Sequence, residues 1–212
     1  MEKETSELVK EIKRSFRMYM NGVTAASMRQ KGLDYKINWG TNQMDLRRMA
    51  QKYGKNHELA NALWSEQNIR ECRLLATMIM PAEEMTMDEA VGWIASATNQ
   101  ELMEAAVFNL FQHMASAGQL SMEMLKSSDE NIRMGAYNLV CMLLKRKENL
   151  KQETYDELFR KSSSDIHTIM NTGIKPTNRQ LLHAIANCLG YVASSDTAQS
   201  DTAERILADA GL

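Results

Sequence analysis

The chain has 212 residues, 44% of them hydrophobic and 25% charged, with a formal charge of −2; that is the balance of a globular protein with a sizeable core. No apolar run approaches the roughly 18 residues a membrane span needs, and the charged start MEKETSELVKEIKR fits neither a secretory signal nor a transit peptide. Cys72, Cys141 and Cys188 are isolated and odd in number, which excludes a disulfide framework or a CxxC site and reads as reduced core residues of a cytoplasmic protein.

Two prolines and few aromatics, beside many Ala, Leu, Met, Glu and Lys, favour helix over sheet. The seventeen methionines read as adaptable core filler, ahead of a Met-rich partner groove. Charge is unevenly spread. Residues 1–60 carry 12 Lys/Arg against 7 Asp/Glu, residues 61–130 carry 3 against 11, and residues 131–212 carry 10 against 9. A basic first third can follow a phosphate backbone; an acidic middle cannot.

In chain order, Leu8, Ile12, Phe16 and Tyr19 keep helical spacing over residues 4–20, with Lys10, Lys13, Arg14 and Arg17 on other faces and Asn21-Gly22 as the stop. Thr24 is expected to cap a short helix ending at Gly32. The loop LDYKINWG (33–40) should tuck Tyr35, Ile37 and Trp39 under the first helices. Thr41 or Asn42 then caps a helix to Tyr53, with Leu46, Met49, Ala50 and Tyr53 inward and Arg47, Arg48 and Lys52 outward. The stretch Leu59–Pro81 reads as a helical hairpin turning at Ser65–Gln67. Its second helix is apolar on nearly all sides from Leu74 to Met80, hence buried on several faces, starts with a Glu66–Arg70 pair, and ends at Pro81.

Thr86-x-x-Glu89 is a capping box before Val91, Trp93 and Ile94. A helix after Asn99 is expected to break at Gly118. A short one covers 120–126, a long one 129–147, and another 151–170 with a break at Ser162–Ser164. Asn178 should cap a helix over 179–193, followed by a polar tail with one small helix.

Three of these helices superpose. Asn68, Asn99 and Asn131 lie 31 and 32 residues apart, Asn68-Ile69-Arg70 recurs as Asn131-Ile132-Arg133, and Asn178 begins a fourth copy after an insertion. Eight residues beyond each Asn sit Ala76, Val107, Leu139 and Ala186; eleven beyond sit Ile79, Leu110, Met142 and Leu189. A polar cap followed by a fixed buried face at that period calls for stacked helical hairpins, since one hairpin cannot bury its own apolar face. The expected fold is all-α, a curved solenoid of antiparallel helix pairs. It forms one domain, with capping helices in 1–56, repeats in 57–194 and a tail in 195–212.

The order INWG-x5-LRRMAQKY (Ile37 to Tyr53) then LANALW-x5-RECRLLA (Leu59 to Ala76) resembles the DNA alkylation repair family of HEAT-like repeat proteins, the AlkD-type DNA glycosylases. The resemblance is clearest over 22–80 and thinner to about Ala193. It implies binding of double-stranded DNA on a concave helical face. It also implies hydrolysis of the N-glycosidic bond to an alkylated purine, without metal or other cofactor. That chemistry asks for a carboxylate to stabilise oxocarbenium-like charge and orient water, and for Arg and Lys on phosphates. An ungapped pairing puts Gln100 and Asn187 where the family has aromatic residues, Glu104 at the position of its Asp, and Arg133 close to that of its Arg.

The candidate catalytic residue is therefore Glu104, against the plainer reading of a solvated glutamate. The candidate DNA contacts are Arg47, Arg48, Lys52 and Arg133, the last against a surface pair with Glu130. Trp39, Trp64 and Trp93 read as packing residues. His57, His113, His167 and His183 lack metal-ligand spacing, and no nucleophile elbow, P-loop or GxGxxG occurs. The alternative function is a non-catalytic HEAT-like scaffold binding protein or nucleic acid.

Overall fold

Short polar side chains start most helices of the first half, because each can accept from an otherwise orphaned helical amide. The structure, a computed structural model, describes residues 2–33, 35–195 and 198–212; Asp196 and Thr197 of the tail lie outside them. Helix α1 (Glu2–Ser15) tightens into a 3-10 turn at Phe16–Tyr19. Asn21, not Thr24, caps α2 (Gly22–Gln30); its Oδ1 accepts from the Thr24 amide at 3.0 Å. Asn42 caps α3 (Gln43–Tyr53) and Asn56 caps α4 (His57–Trp64) in the same way. Helix α5 (Arg70–Ile79) lacks a side-chain cap, while α6 (Met87–Ser96) opens with the Thr86–Glu89 capping box and α7 (Gln100–Asn109) with Asn99.

The chain divides into two compact units, Met1–Leu110 and Phe111–Leu212. In the first, α1 packs on α4, and α4 meets α6 through Trp64 and Trp93, stacked at 4.2 Å with planes 2° apart. A second row runs α3, α5, α7, joined to the first where α4 packs on α5. Lys55 closes α5 by donating to the carbonyls of Met78 and Met80 (3.1 and 2.9 Å). The 33–40 loop behaves only partly as expected. Tyr35 is buried, and Trp39 lies 5.6 Å from Phe16. Ile37 stays outside at 38% exposure, because its backbone is engaged by Asn68 and Arg70 in an isolated parallel bridge. Gly40 must be glycine: φ is +72°, and a Cβ would sit 2.2 Å from the Asn21 carbonyl oxygen.

In the second unit, α8 (Ala117–Leu125) pairs with α9 (Glu130–Lys145), which packs on α11 (Pro176–Ser194). Helix α10 (Gln152–Thr172) packs on α8 and α11, and α12 (Ser200–Ala210) covers α10 and α11. Three expected breaks move. The helix after Asn99 stops at Asn109, and Gly118 lies inside α8. Ser162–Ser164 do not interrupt α10, where Ser162 is buried. Pro176 starts α11 three residues early, since proline at N1 loses no helical hydrogen bond.

Of the four repeat asparagines only Asn99 is an N-cap; Asp129 caps α9, and the Asn68 carbonyl holds the Ile37 amide instead. The buried positions hold better: Ala76, Val107, Leu139, Ile79, Leu110 and Leu189 are buried, Ala186 and Met142 half-buried. No strand occurs among the described residues. No helix there is long and apolar enough to cross a membrane.

Candidate nucleic-acid interface

Helix α3 presents its basic side chains because Leu46 and Met49 take the buried positions, leaving 47, 48 and 52 on the open side. Arg48 Nη1 lies 3.2 Å from Asp45 Oδ1, one turn back, and remains 67% exposed. Lys52 Nζ lies 3.1 Å from Glu11 Oε1 of α1 and 4.8 Å from the Tyr53 ring centre. The hydrogen bond from Lys52 holds the Glu11 carboxyl below its usual range, and Tyr53 adds to the effect. Arg47 is exposed and makes no ion pair among the described residues, and Arg14 in the last turn of α1 and Arg17 in the 3-10 turn are exposed as well. Lys13 differs: it is drawn to Glu66 of the α4–α5 turn at 3.0 Å, so the expected Glu66–Arg70 pair does not form.

Arg70 turns inward instead. It is 2% exposed; its Nε donates to Glu101 Oε2 at 2.9 Å, and its Nη1 to the Thr41 carbonyl and to Glu71. Burial opposes its charge, but the hydrogen bonds and charge of Glu101, helped by Glu71, outweigh it, and its pKa rises. Tyr35 donates to Glu101 at 2.8 Å; burial first, then the Glu101 charge, pushes its phenol up. Arg73, one turn on, lies 3.9 Å over the Trp64 ring, on a face of the Trp64–Trp93 stack, and burial pulls it down to about 10. Both guanidiniums are parts of the core and unavailable to a ligand.

Arg133 shares that fate. It is 8% exposed, its Nε donates to Asp165 Oδ2 at 2.9 Å, and Nη1 donates to the carbonyls of Ser127 and Ser128. Its expected role as a phosphate contact therefore meets a geometric objection: the fork faces Asp165 rather than solvent, and Glu130 is not its partner.

Glu104 is exposed on α7 and accepts from Gln100 Nε2 at 2.7 Å. One turn further on the same face stands Phe108, 51% exposed. Its place among the apolar residues of α7 conceals that aromatic surface in the sequence, although the spacing Glu104-x3-Phe108 carries it. Helix α5 stands between α3 and α7 in their row, so the basic side chains and Glu104 occupy different helices of one unit. Asn187 lies exposed on α11 in the second unit. Among the described residues no three His, Cys, Asp or Glu side chains converge as a metal site.

The family model described as DNA alkylation repair enzyme matches residues 12–198. The chain belongs to this family. Among solved structures, a member of "a new family of proteins related to the HEAT-like repeat DNA glycosylases with affinity for branched DNA structures" superposes with a TM-score of 0.77 over 95% of this chain and 82% of that one, at 18% identity. At that identity the likeness establishes the HEAT-like repeat fold and no more. No curated protein matches the sequence significantly.

Proposed function

We propose that the protein binds double-stranded DNA through the exposed basic side of its first unit, with Arg47, Arg48 and Lys52 on phosphates. The observation that carries this is Arg47, exposed on a packed helix without an ion pair among the described residues. The pairs of Arg48 and Lys52 are exposed ones, weak in water, so a phosphate can displace them at little cost. Arg133 is left out, because freeing it would strand Asp165 in the interior. The affinity of the related protein for branched DNA extends the reading to forked or branched duplexes.

Binding is tested by fluorescence anisotropy across a salt series. Reversing Arg47 and Arg48 together to Glu should weaken duplex binding and reduce the salt slope by about one per lost contact. Unchanged affinity and slope would remove α3 from the interface.

A second reading, excision of alkylated purines, is favoured by Glu104 and Phe108 on one face of α7. A carboxylate beside an aromatic surface suits the cationic sugar of N-glycosidic hydrolysis and calls for no cofactor. Alkylated DNA incubated with the protein should release methylated purine, and Glu104→Gln should abolish release. If the wild type releases none, the DNA-binding or protein-binding scaffold remains.

A further inference from the structure

The second unit holds a groove of about 530 Å³ between α9 and α11 whose chemistry the basic side of α3 does not share. Asn138 and Asn187 face it from opposite helices, and neither carboxamide has a hydrogen-bond partner among the described residues. Tyr191 offers a half-buried ring, and Lys145 Nζ stands 5.9 Å from its centre. Cys141 contributes buried sulfur, and no carboxylate lines the groove. Two amides, an aromatic face and one ammonium are the set that reads a base edge, stacks the base and meets its phosphate.

Gly190 leaves the backbone open on one side of the groove. It lies inside the 19-residue helix α11 and lines the groove. Glycine is the poorest helix former after proline. Its φ is not left-handed, and a Cβ built there would meet nothing within 4 Å. Without a side chain there, a ligand can approach the backbone closely.

We infer that this groove binds one unpaired nucleotide of a branched or forked DNA, the base lying on Gly190 and Tyr191 between the Asn138 and Asn187 carboxamides and the phosphate at Lys145. The inference rests on the DNA-binding reading and adds to it a recognition site for the unpaired strand.

The test compares a paired duplex with the same duplex carrying a short single-stranded flap, in DNA and in RNA, with 2-aminopurine as the first flap base. Wild type should prefer the DNA flap at least tenfold and quench the 2-aminopurine. Gly190→Leu, which fills the groove, should abolish both preference and quenching while duplex affinity changes less than twofold. Gly190→Ala should weaken the preference by a smaller factor and yet raise the melting temperature by about 2–4 °C. A gain in melting temperature with flap preference intact would overturn the inference, as would quenching retained in a folded Gly190→Leu. Equal affinity of wild type for duplex and flap would also overturn it while leaving DNA binding by α3 standing. Failure to bind any DNA would defeat both readings, and binding confined to the RNA flap would defeat the DNA assignment.

Discussion

In each unit one buried arginine, Arg70 or Arg133, ties its helix to a later one through carboxylates, and the difference lies in which carboxylates answer it. In the first unit Arg70 meets two carboxylates: Glu71, wholly buried beside it, and Glu101, 31 residues on at the start of α7. Tyr35 reaches Glu101 from a loop. In the second, the one carboxylate that Arg133 meets among the described residues is Asp165, 32 residues on but late in α10, and Tyr137 of its own helix donates to the same carboxylate at 2.9 Å. Burial, then the Asp165 charge, raises the Tyr137 phenol. Each arginine ties its helix to one about a repeat later in sequence. What recurs in Asn-Ile-Arg is thus the buried arginine, not the cap. Because α10 runs 21 residues where α6 runs 10, the same sequence distance ends on the first helix of the next pair rather than the second.

The largest effect should come from removing the shared device. Arg70→Met leaves the wholly buried Glu71 and the partly buried Glu101 without a cation, and Glu71 Oε2 already lacks a partner. A loss near the upper end of about 3–5 kcal/mol is expected from urea unfolding. Arg133→Met strands one carboxylate, costs less within the same range, and should be largely rescued by Asp165→Asn. If Arg133→Met proved the more harmful of the two, the comparison would be reversed.

Next come the phenols. Tyr137→Phe removes the buried donor to Asp165, and a loss of about 1.5–3 kcal/mol follows for a hydrogen bond to a charged group. Tyr35→Phe should cost less, since Glu101 is 19% exposed and water can replace the hydroxyl. Equal losses would mean that exposure does not separate the two clusters.

The smallest effect belongs to the first unit alone. Burial would raise the Glu89 carboxyl, but its hydrogen bonds to the Thr86 amide and hydroxyl, then to Asn61, together with His57, hold it below 4.5. Its folded value being depressed, the stabilisation is full above pH 4.5 and fades as pH falls through the folded value. Glu89→Gln should therefore cost about 0.3–1 kcal/mol at pH 7, and the gap to wild type should close in acid. A gap constant from pH 7 to 3 would refute the charge contribution.

Much of the fold was legible because helix caps and 3.6-residue periodicity are local. The Thr86–Glu89 box, the caps at Asn42 and Asn99 and the buried faces of α5, α7 and α9 all follow from residues within a few positions of each other. The misplaced ends have local causes as well: Asn21 outcompetes Thr24, and Pro176 begins a helix more readily than Asn178. The candidate site was harder to read. Arg47 and Arg48 could be assigned outward from the inward spacing of Leu46 and Met49, and Glu104 outward from Leu102 and Met103. Phe108 was hidden among the apolar residues of its helix.

By itself the sequence determined an all-α chain, its repeat spacing and its family resemblance, since these rest on local propensity and recurring apolar positions. Only the tertiary structure decided which charges remain for a ligand. Arg70 and Arg133 look no different in the chain from Arg47, and their removal from solvent depends on carboxylates 31 and 32 residues away arriving on neighbouring helices. Pairing across that distance is fixed by packing, and packing converts an arginine from a phosphate contact into part of the core.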